Sequence, residues 1–144
     1  MKTKAEIASE DYFGKFNCAQ SVMLAFAEDC GLDEKTALRI GASFGGGCQY
    51  GSLCGAVAGG AAIIGCKYGN DEQDPEKYAR NRELVRELLG AFDDTHGSVN
   101  CSVLLGMDMS HPDGRDKAKA LGLFDTKCKD YVRSVAAILE DMGF

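Results

Sequence analysis

The sequence has few of the signals that mark strands, membrane spans and compact metal motifs. No stretch of five or more residues alternates cleanly between apolar and polar side chains, so no strand is predicted. Only two prolines are present, Pro75 and Pro112. No apolar run reaches the roughly 18 residues of a transmembrane helix, and the segment 53–66 is shorter and rich in glycine. No CxxC pair occurs, which excludes the spacings of zinc ribbons, thioredoxin-like proteins and bacterial ferredoxins.

The distribution of charge argues against nucleic acid and membranes as partners. The chain has 22 acidic and 16 basic residues, a net charge of −6, and its lysines and arginines are scattered. A surface of this kind has no basic run with which to bind phosphates. The first residues, MKTKAEIASEDYF, carry acids where a signal peptide would carry its apolar region. We therefore expect a cytoplasmic protein.

The spacing of apolar residues is helical along almost the whole chain and predicts an all-α fold, a compact bundle of about five to seven helices with no sheet. The predicted helices are 3–14, Asn17 to about Cys30, 34–42 after an Asp33 cap, Ser52 to about Tyr68, 75–95 after Asp74, a short one after Asn100, and about 127–142. The segment SFGGGCQYG, 43–51, is predicted as a loop because consecutive glycines permit positive φ. The segment 106–126 is polar and shows no clear pattern. The length of 144 residues suits one domain, 1–144.

The chain contains seven cysteines, at 18, 30, 48, 54, 66, 101 and 128. An odd number in a chain without an export signal argues against a disulfide framework. Four of them follow a preferred N-cap residue by one or two positions. These are Cys18 after Asn17, Cys54 after Ser52, Cys101 after Asn100, and Cys128 after Thr126. The pattern predicts that all four lie in the first turn of a helix.

The first turn of a helix favours a thiolate. Its backbone N–H groups are unpaired and the macrodipole adds positive charge, so we expect thiol pKa values there below about 8.5. Metal binding and redox exchange both require such thiols. Cys30 and Cys66 are predicted at helix C-terminal ends and are interpreted as small apolar side chains. Cys48 lies in the glycine loop, where it fits an additional ligand, a resolving thiol or a structural residue equally well.

Other chemistry finds little support in the sequence. The glycine loop lacks the GKS or GKT ending of a P-loop and no predicted strand precedes it, so nucleotide binding is not predicted. We interpret the glycines as letting the chain pass close to Cys54. His96 and His111 are interpreted as solvated surface residues, and no catalytic residue is assigned.

Four separated cysteine segments resemble one known family. They are FNCAQSVMLAFAEDCGLDEKTALRIGASFGGG, CGAVAGG, CSVLLG and KCKDYVRSVAAILEDM. In this order they are similar to the C-GCAxxG-C-C family, which is regarded as redox-active, and the similarity extends from about residue 11 to residue 142. The family's hallmark cysteines correspond to Cys18, Cys54, Cys101 and Cys128. Its CGAxxG element corresponds to Cys54, Gly55, Ala56 and Gly59.

The resemblance implies a single helical redox domain that holds an iron–sulfur cluster and exchanges electrons with an oxidoreductase. A similar domain in split-Soret cytochrome c binds an iron–sulfur cluster beside its haems. No CxxCH is present, so no c-type haem is expected. The four hallmark cysteines would be thiolate ligands. The backbone of Gly55 and Ala56 would approach the cluster, and Gly59 and Gly60 would admit a neighbouring helix.

Three alternatives stay open on the sequence alone. The first is a metal-free thiol–disulfide protein with Cys54 as nucleophile and Cys48 or Cys18 as the resolving thiol. The second is a zinc-binding helical module, since four distant thiolates can form a closed tetrahedral site. The third is a helical interaction module with buried cysteines. A homodimer with the cluster near its interface is compatible with all of these observations.

Overall fold

The computed structural model of the chain describes residues 1–144 and contains eight α-helices and no sheet. The helices are α1 (Lys4–Glu6), α2 (Cys18–Ala27), α3 (Glu34–Ala42), α4 (Gly55–Tyr68), α5 (Pro75–His96), α6 (Cys101–Leu105), α7 (Pro112–Ala120) and α8 (Lys129–Asp141). The predicted all-α fold is confirmed. The number of helices exceeds the predicted five to seven because α7 lies in the polar segment for which no helix was predicted.

Four helices begin at the predicted N-cap residues, Asn17, Asp33, Asp74 and Asn100. At the start of α2 the Asn17 side chain accepts a hydrogen bond of 2.8 Å from the Gln20 amide, and the Gln20 side chain accepts one of 3.0 Å from the Asn17 amide. This reciprocal pair satisfies two amides that the helix itself leaves free. Asn100 accepts a 2.9 Å bond from the Val103 amide at the start of α6.

The prediction that Ser52 caps α4 is wrong. The helix begins at Gly55, with Cys54 in the N-cap position. The preceding residues, Ser52 and Leu53, stay outside the helix because they pair with the segment before α6. The Cys54 amide donates to the Val99 carbonyl at 2.8 Å, and the Ser52 carbonyl accepts from the Cys101 amide at 2.6 Å. These tertiary hydrogen bonds compete with helix formation at Ser52, so the helix begins three residues later.

The prediction that Thr126 is an N-cap is also wrong. Thr126 lies inside a π-helical turn, Phe124–Cys128, that runs directly into α8. Its hydroxyl donates to the Gly122 carbonyl at 2.9 Å instead of accepting from a following amide. Cys128 is therefore a residue within a continuous helical segment, with φ −64° and ψ −39°.

Helices α2 and α4 lie side by side, run in the same direction and form the most extensive helix pair of the fold. Small residues allow their close approach. A Cβ atom at Gly59 would lie 2.7 Å from the Ala19 carbonyl oxygen of α2. A Cβ atom at Gly60 would lie 2.8 Å from Val135 of α8 and 2.9 Å from Leu88 of α5. Both glycines thus make room for neighbouring helices.

Helices α5 and α8 complete the hydrophobic core around this pair. One face of α8 is buried throughout, at Tyr131, Val132, Val135, Ala136 and Leu139. The residues of α5 that face it, Leu84, Leu88 and Phe92, are buried as well. No helix combines the length and the apolar character that crossing a membrane would need.

Candidate functional site

A cavity of about 300 Å³ lies near the N-terminal ends of α2, α4 and α6. Its wall contains Cys18, Cys54, Cys101 and Cys128, and we call it the cysteine cavity. All four are free thiols. Cys54 and Cys101 are buried, and the other two are half-buried. The structure thus brings together four cysteines from distant parts of the chain. The volume is at the lower end of the range for small-ligand pockets.

The position of Cys18 follows from the cap of α2. Asn17 fixes the start of the helix, and its side-chain amide also donates to the Gly41 carbonyl at 3.1 Å. This bond joins the first turn of α2 to the last turn of α3. Cys18, the first residue of α2, therefore has little freedom to move along the cavity wall.

Cys54 and Cys101 are held opposite each other by the backbone pairing described above. The amide of Cys54 bonds to Val99, and the amide of Cys101 bonds to Ser52, so each cysteine is tied to the segment that carries the other. Leu53 and Asn100 form the antiparallel bridge between these bonds. The start of α4 and the start of α6 are therefore one structural unit.

Cys128 reaches the cysteine cavity from the π-helical turn before α8. Two of its neighbours fasten this turn to the last residues of α6. The Tyr131 hydroxyl donates to the Leu104 carbonyl at 3.2 Å, and the Lys127 ammonium donates to the same oxygen at 3.5 Å. No local sequence pattern predicts these contacts, because they join segments that are more than twenty residues apart.

Two glycines are required where the backbone passes close to the cavity cysteines. A Cβ atom at Gly55 would collide with the Cys18 sulfur and would lie 2.8 Å from the Phe44 carbonyl oxygen. A Cβ atom at Gly47 would lie 2.7 Å from the Cys101 Cβ atom. Real Cβ atoms do not approach other atoms this closely. Backbone therefore lines the wall beside both cysteines.

The loop before the Cys54 segment contains four consecutive residues with positive φ. They are Gly46, Gly47, Cys48 and Gln49, at 62°, 66°, 59° and 57°. Positive φ is uncommon at residues other than glycine. The Gln49 side chain supports the turn by donating to the Ala42 carbonyl at 3.2 Å. The Cys48 side chain is exposed and lies outside the wall of the cysteine cavity, so the structure does not bring it together with the other four cysteines.

Burial raises the thiol pKa values throughout the cysteine cavity. The pKa of Cys54 rises to about 12, first through loss of solvent and then through the charge of Cys18. The pKa of Cys101 rises to about 11 for the same two reasons. The pKa values of Cys18 and Cys128 are also raised, mainly by burial. The free thiols of the cavity are therefore protonated at neutral pH.

The sequence-based expectation of lowered pKa values is wrong for the free thiols. The predicted field is present, since amides of Ala56 and Val57 face the Cys54 sulfur and lower its pKa. Amides of Ala19, Gly46 and Ala56 act on Cys18 in the same way. Loss of solvent raises the pKa of both thiols by more than these amides lower it. A thiolate in a poorly hydrated site loses more solvation free energy than a few amide dipoles supply.

Apolar and aromatic side chains form much of the remaining wall, and no sequence pattern indicated their place there. They include Phe13, Phe16, Leu104, Leu105, Met109, Phe124 and Tyr131. The wall also contains Arg115, on α7, and Asp125. The guanidinium of Arg115 lies 5.7 Å from the centre of the Phe124 ring and forms no salt bridge. Pro112 at the first position of α7 was the one available signal for this helix.

The thiols do not meet at a single point. No three histidine, cysteine, aspartate or glutamate side chains converge closely enough to hold one metal ion. A zinc ion needs its sulfur ligands about 2.3 Å from a common centre. An iron–sulfur cluster instead takes one thiolate at each of several positions on its outside, so its ligands surround a volume. Four thiols in the wall of one cavity could take such positions.

Comparison with protein-family models finds a match over residues 16–142 to the family described as "Putative redox-active protein (C_GCAxxG_C_C)". The chain belongs to this family. The resemblance noted from the sequence is thereby confirmed. The range matched to the C_GCAxxG_C_C family includes every residue that positions the cavity cysteines. Comparisons with curated proteins and with solved structures find no match.

Proposed function

We propose that the protein binds an iron–sulfur cluster through Cys18, Cys54, Cys101 and Cys128 and exchanges electrons with an oxidoreductase. The observation that carries this proposal is the placement of four free cysteines around one cavity instead of around one point. When bound, the cluster would supply one-electron redox chemistry. Membership of a family described as redox-active agrees with this chemistry.

The raised pKa values support a positively charged occupant. Each thiolate in the cavity makes it harder to ionise the next thiol. The charge of Cys18, for example, raises the pKa values of Cys54 and Cys101. Four thiolates can therefore exist together only when cationic metal displaces their protons. The metal-free alternative needs Cys54 to be an ionised nucleophile near neutral pH, and a pKa of about 12 argues against that role.

Backbone amides would tune the redox potential of the bound group. The amides of Ala56 and Val57 face Cys54, and those of Ala19 and Gly46 face Cys18. In the loaded protein these groups would donate hydrogen bonds to thiolate sulfur, which raises the reduction potential of an iron–sulfur site. The aromatic wall would limit the access of water, and the positive charge of Arg115 would partly compensate the negative charge of the thiolates.

Anaerobic reconstitution with iron and sulfide tests the proposal. We expect the wild-type protein to gain the visible charge-transfer absorption of an iron–sulfur site, and each single Cys→Ser substitution at the four cavity positions to remove or strongly reduce it. Cys48→Ser is the matched control, because Cys48 is a thiol of the same chain outside the cavity. A colourless wild-type product without bound iron would overturn the proposal. One zinc ion per chain would favour the zinc alternative.

A further inference from the structure

A second cysteine pair lies at the other end of α2 and α4. Cys30 ends the 3₁₀ turn Glu28–Cys30 that extends α2, and Cys66 lies in the last turn of α4. The Cys66 sulfur donates to the Cys30 carbonyl oxygen at 3.4 Å, and the Cys66 thiol is close enough to contribute to the raised pKa of Cys30. We call them the distal cysteine pair. The proposed cluster does not use either residue.

The distal cysteine pair repeats the spacing of the cavity cysteines on the same two helices. Cys18 and Cys30 are twelve residues apart, and so are Cys54 and Cys66. Because the helices run in parallel, this spacing places one cysteine pair at each end. Twelve residues of helix span about 18 Å, so the distal pair lies well outside the cysteine cavity.

The distal cysteine pair is accessible to a small reagent. Cys66 is exposed and Cys30 is half-buried beside a small cleft whose wall includes Phe26 and Ile63. Bonding requires the sulfur atoms to close to about 2.05 Å, and both cysteines have a glycine beside them. Gly31 follows Cys30 in the left-handed conformation, and a Cβ atom at Gly65 would meet nothing within 4 Å.

We propose that Cys30 and Cys66 form a reversible disulfide by exchange with a low-molecular-weight disulfide, as a second redox site separate from the cysteine cavity. The exposed Cys66 sulfur attacks one sulfur of the reagent, which forms a mixed disulfide and releases one thiol. Cys30 then attacks the Cys66 sulfur, which closes the protein disulfide and releases the second thiol. The two protein thiols are oxidised, the reagent is reduced to two thiols, and both protons go to the released thiols.

The order of attack follows from accessibility. Exchange begins at the sulfur that solvent can reach, and Cys66 is the more exposed of the two. Cys30 is partly shielded, and burial together with the Cys66 thiol raises its pKa to about 11. Cys30 therefore suits the second step, in which its partner is already in contact with it.

Peptide mapping after treatment with oxidised glutathione tests the proposal. Cleavage after glutamate releases residues 29–34, in which Cys30 is the only cysteine, and residues 35–72, which contain Cys66. We expect these two peptides to be joined, with fragmentation placing the link at Cys66. Excess dithiol should separate them. Cys48→Ser should keep the link, whereas Cys30→Ser and Cys66→Ser should lose it.

Two outcomes would overturn the proposal. One is glutathione attached separately to Cys30 and Cys66 without a joined peptide. The other is a link from Cys30 to Cys48 or Cys54, which would require the helices to come apart. The Cys30→Ser and Cys66→Ser variants should still bind iron as the wild type does. The disulfide proposal and the iron–sulfur proposal can therefore fail independently of each other.

Discussion

At the scale of single residues, Gly55 and Gly65 give the sharpest contrast in the chain. Both lie in α4, yet a side chain at Gly55 would strike the Cys18 sulfur, whereas one at Gly65 would meet open space. Glycine weakens a helix relative to alanine by about 0.5–1 kcal/mol. Gly65 carries this cost inside α4 without a steric reason, whereas Gly55, the first residue of the helix, has a steric reason.

We predict that Gly55→Ala destabilises the protein by about 1–3 kcal/mol, as overpacking of a filled site does, and lowers its iron content after reconstitution. Gly65→Ala should instead stabilise it by up to about 1 kcal/mol and leave iron binding unchanged. Urea denaturation and iron analysis of the two variants measure both effects. Equal behaviour of the two variants would contradict the close contact between Gly55 and Cys18.

The buried thiols predict a pH dependence for the metal-free protein. The pKa of Cys54 is raised to about 12 in the folded state, so the unfolded chain loses its thiol proton at a lower pH than the folded chain does. The free energy of unfolding therefore keeps its full value below the ordinary thiol pKa. It falls as pH rises towards about 12, by at most about 1.4 kcal/mol per pH unit for each thiol. Urea midpoints measured at increasing alkaline pH should fall, and less steeply in Cys54→Ser. A flat profile would contradict the pKa assignment.

At the scale of helices, local signals predicted some ends and missed others for a clear reason. The cap at Asn17 closes on Gln20, three residues along the chain, so the sequence alone contains both partners. The start of α4 depends instead on the pairing of Ser52 with Cys101, which no local pattern records. Helix α7, which brings Arg115 to the cavity, has no apolar stripe strong enough to predict it.

Two N-caps offer a matched test of how α2 positions its cysteine. Asn17 caps α2 beside the cysteine cavity, and Asp33 caps α3, where its side chain accepts from the Thr36 amide at 2.9 Å. Replacing either by alanine should cost about 1 kcal/mol of stability. Only Asn17→Ala should also lower iron retention, because it frees Cys18. Iron content after gel filtration separates the two, and full retention by Asn17→Ala would contradict the positioning role.

At the scale of the whole molecule, the four motif cysteines could be selected from the sequence, but their arrangement could not. Their predicted setting just after N-cap residues singled them out and also suggested lowered pKa values, although only Asn17 and Asn100 are N-caps in the structure. The fold reverses that expectation, because the same convergence that brings the thiols together removes them from water. The distal cysteine pair was likewise missed, since the parallel course of α2 and α4 is what places Cys30 against Cys66.

The proposed role of the cysteine cavity is to hold iron and sulfide. Metal and acid-labile sulfide analysis of protein purified without oxygen, with the visible spectrum of the same sample, is the decisive measurement. We expect iron and acid-labile sulfide in equal amounts, bound by the wild type and by Cys48→Ser but not by Cys54→Ser. Zinc at one ion per chain without sulfide, or a metal-free protein with all its thiols reactive, would contradict it.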